Sequence, residues 1–299
     1  MTDNSHPLKG VFFGIVTVLI WAAFPIFTKI SFEEALTPSD VNILRYATAG
    51  IFMLPFLLRR GFSGIQPIGL LIIVCGAGVP YLMTVSQGLQ YSSAGHFALI
   101  TPSTMLLCST LGGCLLFKEP FGPMRMLGMV MVLCGLVLVG IDSLHTQVSS
   151  WQGDVLFVLG GFLWSCFTLS LRQWHINPLH ATAVVACLSM LLCVPLFVLD
   201  SESQLLTASW QILATQAVYQ GLFSAILALI FYSQAVSVLG PGKGAIFGAI
   251  VPGVSLLMAI SILGEPATLL QYAGVVVIFT GVIVTLELIK PARKQQKPV

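Results

Sequence analysis

The amino-acid sequence predicts an all-α polytopic membrane protein: ten transmembrane helices that form two inverted five-helix repeats around a central cavity. Composition, apolar segments and an internal repeat support this fold class. Hydrophobic residues make up 57% of the 299-residue chain, charged residues only 8%, and the mean hydropathy is +0.96. A soluble domain has about 25% charged residues, so this chain lacks the polar side chains that a water-exposed surface requires.

Ten apolar stretches are long enough to cross a bilayer, which takes about 20 residues of helix. Ser92, Ser93 and Gly95 provide the break between the third and the fourth. The predicted spans are residues 10–31, 39–59, 66–89, 94–117, 123–141, 152–172, 178–199, 209–237, 243–262 and 268–289.

The second half of the chain repeats the first, residue type for residue type. Trp21 recurs as Trp164 after 143 positions, and Pro102 recurs as Pro252 after 150. A third series, at an offset of 146, pairs Glu119, Pro120, Gly128 and Gly135 with Glu265, Pro266, Gly274 and Gly281. We therefore divide the chain into a first repeat at 1–145, a second at 146–289 and a basic tail at 290–299. Since five spans is an odd number, the two repeats cross the membrane in opposite senses.

The distribution of basic residues predicts the orientation in the membrane. Of the 13 Lys and Arg residues, 11 fall in even-numbered loops or in the tails, while only Lys29 and Arg45 do not. Because positive charge is retained in the cytoplasm, both termini are predicted to be cytoplasmic, in a bacterial inner membrane.

The same residues exclude several classes of protein. No basic patch interleaved with aromatic residues is present, so nucleic acid is not an expected partner. The seven cysteines lie in apolar runs without CxxC spacing, and we predict neither a metal site nor a cofactor. No catalytic set occurs at mid-span, so an enzyme is not predicted. The expected partners are a small-molecule solute and membrane lipid, with the protein as a monomer or homodimer.

Several segments resemble the EamA-type branch of the drug/metabolite transporter superfamily. They are Trp21 to Lys29 (WAAFPIFTK), Pro38 to Tyr46 (PSDVNILRY), Gly88 to Pro102 (GLQYSSAGHFALITP) and the two Glu-Pro motifs, Lys118 to Pro120 and Gly264 to Pro266. The resemblance implies secondary transport of amino acids, other metabolites or drugs, with spans five and ten outside the basket of helices. A flippase for lipid or lipid-linked sugar is an alternative on the same fold.

Polar and aromatic residues inside spans are the candidates for solute binding, because they can replace a solute's hydration. Trp21 and Trp164 lie near the centres of spans one and six, where they either wall a shared cavity or pack between helices. The predicted substrate-binding set is Trp21, Asn42, Arg45, Tyr46, Tyr81, Thr84, Gln87, His96, Trp164, Tyr219, Gln220 and Ser224.

Arg45 stands out in this set because a bare charge within the membrane costs a few kcal/mol. It either binds an anionic group of the solute, pairs with a nearby acid such as Asp40, or extends to the interface. It also has no counterpart in the second repeat, where the offset of 140 leads to Val185.

Gate and hinge candidates lie near span ends and at prolines. Lys29 is either a helix anchor or a gate, and its repeat-related partner is Arg172. The hinge candidates are Pro25, Pro80, Pro102 and Pro252, since each removes a backbone donor and can bend its helix. Glu119 and Glu265 are predicted to cap helix N-termini.

The predicted function is export of an amino acid or related metabolite by alternating access, with a drug exporter or a flippase as the alternatives. All eleven acidic residues fall in tails, loops or span ends, which argues against a carboxylate relay at mid-membrane. Two coupling modes stay open: facilitated diffusion, or proton antiport through a site such as His96.

Overall fold

The computed structural model describes residues 5–120, 122–143 and 151–286, and within these ranges every regular element is helical. The predicted all-α fold class is confirmed. The ten helices are α1 (Ser5–Glu33), α2 (Pro38–Arg60), α3 (Pro67–Tyr91), α4 (Ala94–Phe117), α5 (Pro123–Ser143), α6 (Trp151–Gln173), α7 (Pro178–Leu199), α8 (Trp210–Leu239), α9 (Pro241–Ile262) and α10 (Leu269–Thr285).

Most of these helices satisfy the requirements of a membrane span. Eight are long and apolar enough to cross a bilayer, and the apolar helices Ile246–Ile262 and Leu269–Thr285 are shorter. The bundle surface carries large apolar side chains, among them Leu115 and Leu199, each 81% exposed. An apolar surface of this kind is stable against lipid rather than against water.

Helix packing follows an inverted-repeat symmetry. Helices at equivalent positions pair with each other: α2 with α7, α4 with α9 and α5 with α10. The remaining contacts come in related sets, because α1 packs on α8 and α9 just as α6 packs on α3 and α4. The two repeats are therefore interleaved, and the predicted two-repeat architecture is confirmed.

Helices α5 and α10 meet through four glycines that the internal repeat pairs. A Cβ atom on Gly128 would lie 2.7 Å from the carbonyl oxygen of Gly281, and one on Gly281 would lie 2.8 Å from that of Gly128. Gly135 and Gly274 face each other further along the crossing, at 3.1 and 3.3 Å. Small residues at a crossing allow two membrane helices to approach closely, since van der Waals packing drives their association.

Two helices depart from regular α geometry. In α3 the helix stops at Gly78 and restarts at Val79 and Pro80, and the hydroxyl of Ser189 on α7 accepts from the Val79 amide at 3.3 Å. The hinge candidate Pro80 thus lies in the first turn of a new segment, whereas Pro25, Pro102 and Pro252 lie inside continuous helices. In α8, residues 217–227 form wide π-type turns, a geometry that is frequent at functional sites.

We name the two ends of the bundle by their loops. The odd-loop face carries the loops that follow α1, α3, α5, α7 and α9, and the termini face is the end where α1 begins and α10 ends. On the odd-loop face, Asp40 of the α2 capping box also accepts from the Ser203 hydroxyl at 2.6 Å and from the backbone N–H of Gln204 at 3.0 Å. These bonds hold the loop after α7 beside a cavity of about 540 Å³ lined by Phe32, Leu36, Thr37, Gln90, Glu202 and Gln204.

The two Glu-Pro glutamates play different structural parts. Glu265 accepts from the amides of Ala94 at 3.0 Å and Gly95 at 3.2 Å, so it caps the N-terminus of α4 in the other repeat rather than that of its own next helix. Glu119 instead pairs with the guanidinium groups of Arg172 and Arg125 on the termini face. The repeats are thus joined by a carboxylate cap at the odd-loop face.

We expect the Glu119–Arg172 pair to contribute a small, pH-dependent stabilisation. The hydrogen bond from Arg172 lowers the pKa of Glu119 below its usual value. A depressed pKa stabilises the fold above the unfolded-state pKa, and this contribution is lost as the pH falls through the folded value. The Arg172→Gln substitution should therefore lower the free energy of unfolding at pH 7 by less than about 1 kcal/mol, since both groups are partly exposed, and the melting temperature should fall slightly.

That difference between wild type and Arg172→Gln should shrink as the pH falls below the ordinary pKa of glutamate, which thermal unfolding at pH 7 and at successively lower pH values would measure. The control is Arg59→Gln, because Arg59 is an exposed arginine at the end of α2. An equal loss of stability for the two variants at pH 7 would contradict the assignment.

Candidate functional site

Arg45 on α2 is the centre of the candidate site. Its side chain is half-buried, and Nη1 donates to the Ser224 hydroxyl at 2.9 Å and to the side-chain oxygen Oε1 of Gln220 at 3.3 Å, both on α8. Among the described residues, no carboxylate lies within 4.0 Å of the guanidinium, and the buried Nε has no hydrogen-bond partner. Three of the predicted residues therefore come together around a cation that retains donor capacity.

A chain of buried side chains positions Gln220. Its amide Nε2 donates to the Thr28 hydroxyl of α1 at 3.2 Å, and Gln216, one turn earlier on α8, donates to the carbonyl of Phe27 at 2.9 Å. Thr28, Gln216 and Gln220 are fully buried. Because Nε2 of each glutamine donates to a partner on α1, the Gln220 side chain presents its oxygen Oε1 to Arg45.

Aromatic rings surround the guanidinium. Its carbon lies 5.6 Å from the ring centre of Phe24 and 6.0 Å from that of Tyr46. The Tyr46 hydroxyl donates to the carbonyl of Ala77 at 2.7 Å, at the end of the first segment of α3. Ring faces attract the cation without neutralising it, so its charge remains available to a ligand.

Tyr219, another predicted site residue, lies next to Gln220 on α8 and faces α1. Its ring stacks on Phe27 at 3.7 Å, and its hydroxyl donates to the carbonyl of Ile20 at 2.6 Å. Tyr219 therefore holds α8 against α1, beside the residues that contact Arg45.

The two repeat-related tryptophans make equivalent contacts. Trp21 on α1 lies 5.3 Å from the ring of Tyr232 on α8, and Trp164 on α6 lies 5.0 Å from the ring of Tyr81 on α3. Each tryptophan therefore packs on a tyrosine of the opposite repeat, at symmetry-related interfaces. All four rings are half-buried, so each also keeps an open side.

The other polar candidates have local bonds. Asn42 donates to the carbonyl of Pro38 at 2.8 Å, and its buried oxygen has no partner among the described residues. Thr84 donates to the carbonyl of Pro80 at 2.8 Å, and Gln87 is exposed. None of these three has a described hydrogen bond to Arg45.

His96 lies at a different place, in the first turn of α4 at the odd-loop face. Its Nδ1 is 3.0 Å from Asp154 Oδ1, and its Nε2 is 3.2 Å from Asp142 Oδ2. The sequence places both aspartates among the acidic residues of loops and span ends, and they lie in the ends of α5 and α6, where they are at least nine-tenths buried. Lys29 is half-buried near the same face, within electrostatic reach of Glu265 and Glu33.

Sequence reasoning missed several polar residues of these clusters, among them Thr28, Gln216, Asp142 and Asp154. A signal existed for Gln216, because Gln216, Gln220 and Ser224 recur every four residues and so line one face of α8. The aspartates gave no local signal, since they lie 46 and 58 residues from His96.

A bundle of apolar helices in two inverted repeats, with polar side chains meeting between the repeats, is typical of membrane transporters. The chain belongs to the EamA-like transporter family, whose model matches residues 8–141 and 151–287.

Named relatives and a solved structure agree with this assignment. The uncharacterized inner membrane transporter YedA of Escherichia coli K12 is 24% identical over 316 residues, covering 98% of this chain and 95% of that protein. A probable amino-acid metabolite efflux pump of Salmonella typhimurium LT2 is 23% identical over 300 residues, covering 93% and 95%. A crystal structure matches with a TM-score of 0.64 and 16% identity over 93% of this chain and 97% of that one, a likeness in fold alone.

Proposed function

We propose that this protein exports small organic solutes that carry a carboxylate group, amino acids or related metabolites, across the bacterial inner membrane. In this proposal the repeats at 1–145 and 146–289 move against each other to expose the solute site alternately to the two sides. Both termini and the basic tail at 290–299 are cytoplasmic, so the odd-loop face is periplasmic.

The observation that carries the proposal is the half-buried guanidinium of Arg45. It has no carboxylate partner among the described residues, and its buried Nε has no described hydrogen-bond partner. A charge held within a bundle needs compensation, and a carboxylate can accept two parallel hydrogen bonds from a guanidinium. The solute would supply this partner during each transport cycle.

The position of Arg45 favours coupling of binding to movement. Arg45 and Thr28 belong to the first repeat, and Gln220 and Ser224 to the second. A ligand that displaces or joins these bonds changes the contacts between repeats. Alternating access requires such a difference in contacts between its states.

Two further observations support the proposed solute class and orientation. A relative at 23% identity is named as a probable amino-acid metabolite efflux pump. The excess of basic residues, 11 of 13, in even-numbered loops and tails favours cytoplasmic termini.

Export of a labelled solute panel tests the proposal. Cells that make the protein and cells that lack it would be preloaded with amino acids, their methyl esters, cationic drugs and a lipid-linked sugar. We expect faster efflux of one or more carboxylate solutes and no change for the matching ester, because the ester cannot accept the charge-assisted pair. Faster efflux of cationic drugs alone, or movement of the lipid-linked sugar alone, would overturn it.

A further inference from the structure

We infer that His96, Asp142 and Asp154 form a proton-binding site that keeps the odd-loop face closed. The three side chains lie at the ends of α4, α5 and α6, away from the Arg45 site. The inference rests on the proposed function only for its consequence in transport, and the site itself is argued from the geometry of the cluster.

The imidazole lies between two carboxylates. Asp154 contacts Nδ1 at 3.0 and 3.3 Å through its two oxygens, and Asp142 contacts Nε2 at 3.2 Å. The exposed fraction is 0% for His96, 2% for Asp142 and 8% for Asp154. Because the carboxylates lie on opposite edges of one ring, the three groups do not point to a common centre as metal ligands do.

This geometry requires two hydrogens, one in each nitrogen–oxygen contact. A neutral imidazole carries only one N–H, so its other nitrogen would present a lone pair to a carboxylate at about 3 Å. With both carboxylates ionised, that contact is repulsive, and little water is present to screen it. The closed cluster therefore holds one proton more than the separated groups need, and loss of that proton favours separation.

Other polar groups orient both carboxylates. Asp142 accepts from the Thr268 hydroxyl at 2.6 Å and from the side-chain Nε2 of Gln271 at 2.9 Å, and both residues lie at the N-terminal end of α10. Asp154 accepts from the Ser92 hydroxyl at 3.1 Å. These bonds hold both carboxylates in place on the two edges of the His96 ring, where each can accept an N–H from the imidazole.

The cluster spans both repeats. His96 and Asp142 belong to the first repeat, while Asp154, Thr268 and Gln271 belong to the second. Glu265 of the second repeat caps α4 immediately before His96, and Lys29 of α1 lies within electrostatic reach of that carboxylate. The described charged groups facing this end of α4 are thus Asp142, Asp154, Glu265 and Lys29.

Since His96 and Asp142 belong to one repeat and Asp154 to the other, a movement of one repeat against the other that opens the odd-loop face would separate Asp154 from His96. In the proposed orientation this face borders the periplasm, so the proton is released there when the face opens and is taken up there when it closes. Acid in the periplasm would then favour the closed face and slow the step that exposes the solute site outward.

The experiment is hydrogen–deuterium exchange of the purified full-length protein between about pH 5 and 9, a range that brackets the ordinary pKa of histidine. The peptide covering the N-terminus of α4 would be followed, with intrinsic exchange rates divided out. In wild type we expect the opening equilibrium to rise by up to about tenfold per pH unit as the pH passes the ordinary pKa of histidine, and to level off once the closed cluster has also lost its proton, as linkage to one proton requires. A flat profile in wild type would overturn the inference.

The variant that isolates the extra proton is Asp154→Asn. An asparagine amide can donate to Nδ1 of a neutral His96 while Nε2–H donates to Asp142, so both contacts form without the second proton. We expect Asp154→Asn to keep the face closed and to lose the pH dependence of opening. A wild-type slope retained in this variant would also overturn the inference.

The matched control is His180→Gln. His180 is the buried histidine of the opposite end, where Nε2–H donates to the carbonyl of Gly61 at 2.8 Å, and this variant should leave the α4 profile unchanged. Because exchange is measured without solute, a negative result would overturn only the proton-binding site. The proposed export would still be tested by the solute panel. Conversely, absence of export would leave a proton-dependent closure measurable.

Discussion

Glutamine in place of Arg45 is expected to reduce export of a carboxylate solute by about ten- to hundredfold. A hydrogen bond to a charged group contributes roughly 1.5–3 kcal/mol, and each 1.4 kcal/mol corresponds to a factor of about ten. The introduced amide could still bond with Ser224 and Gln220, which limits the structural disturbance. The measurement is initial efflux of the best solute from the panel, at equal amounts of protein in the membrane.

The preference for the acid over its methyl ester distinguishes direct binding of the solute by Arg45 from an indirect effect of the substitution on the structure. Wild type should prefer the acid to its methyl ester, and the Arg45→Gln variant should lose that preference as well as rate. Arg45→Lys should retain part of both, because an ammonium keeps the charge but not the bidentate geometry. Arg59→Gln, at the exposed end of the same helix, should behave as wild type. An Arg45→Gln protein with unaltered preference would show that the guanidinium does not contact the solute.

Leucine in place of Gly128 is expected to destabilise the bundle more than any single polar change discussed above. Its Cβ would lie 2.7 Å from the Gly281 carbonyl oxygen, which belongs to the backbone of α10 and cannot rotate away. The helices must separate along the whole crossing, including the Gly135–Gly274 contact. Overpacking of this kind costs about 1–3 kcal/mol and can cost more where backbone must move. We expect a fall of several degrees in melting temperature.

Gly140 offers a matched control in the same helix. A Cβ atom at this position meets no atom of the described residues within 4 Å, so Gly140→Leu should leave the melting temperature nearly unchanged. Gly281→Leu should reproduce the effect of Gly128→Leu, since the two glycines form one contact. Equal melting temperatures for Gly128→Leu and Gly140→Leu would mean that α5 and α10 are not closely packed.

The fold was accessible to sequence reasoning because its signals are long and redundant. Each span is an apolar run, and the runs of the first half recur in the second with matching landmarks such as Trp21 and Trp164. Bilayer thickness sets the length of a spanning helix, so even the short break at Ser92 and Ser93 could be predicted, and these residues cap α3 and α4.

The interior polar contacts were less accessible because they join residues far apart in the chain. Arg45 could be predicted from its depth in α2, but its partner Gln220 lies 175 residues away. Asp142 and Asp154 looked like loop charges, since helix ends and loops have the same composition. The helix that Glu265 caps could not be inferred either, because the repeats interleave and α4 belongs to the other half.

The cap that Glu265 places on α4 has a consequence for the timing of movement. Its two oxygens accept hydrogen bonds from two backbone amides of the other repeat. Separation of the repeats at this end would therefore leave both amides and the carboxylate without their partners. Water would have to enter and solvate all three before the motion could proceed. In the proposed alternating-access cycle, the rate of opening would therefore depend on one side chain, and Glu265→Asp would change that rate without altering the solute site.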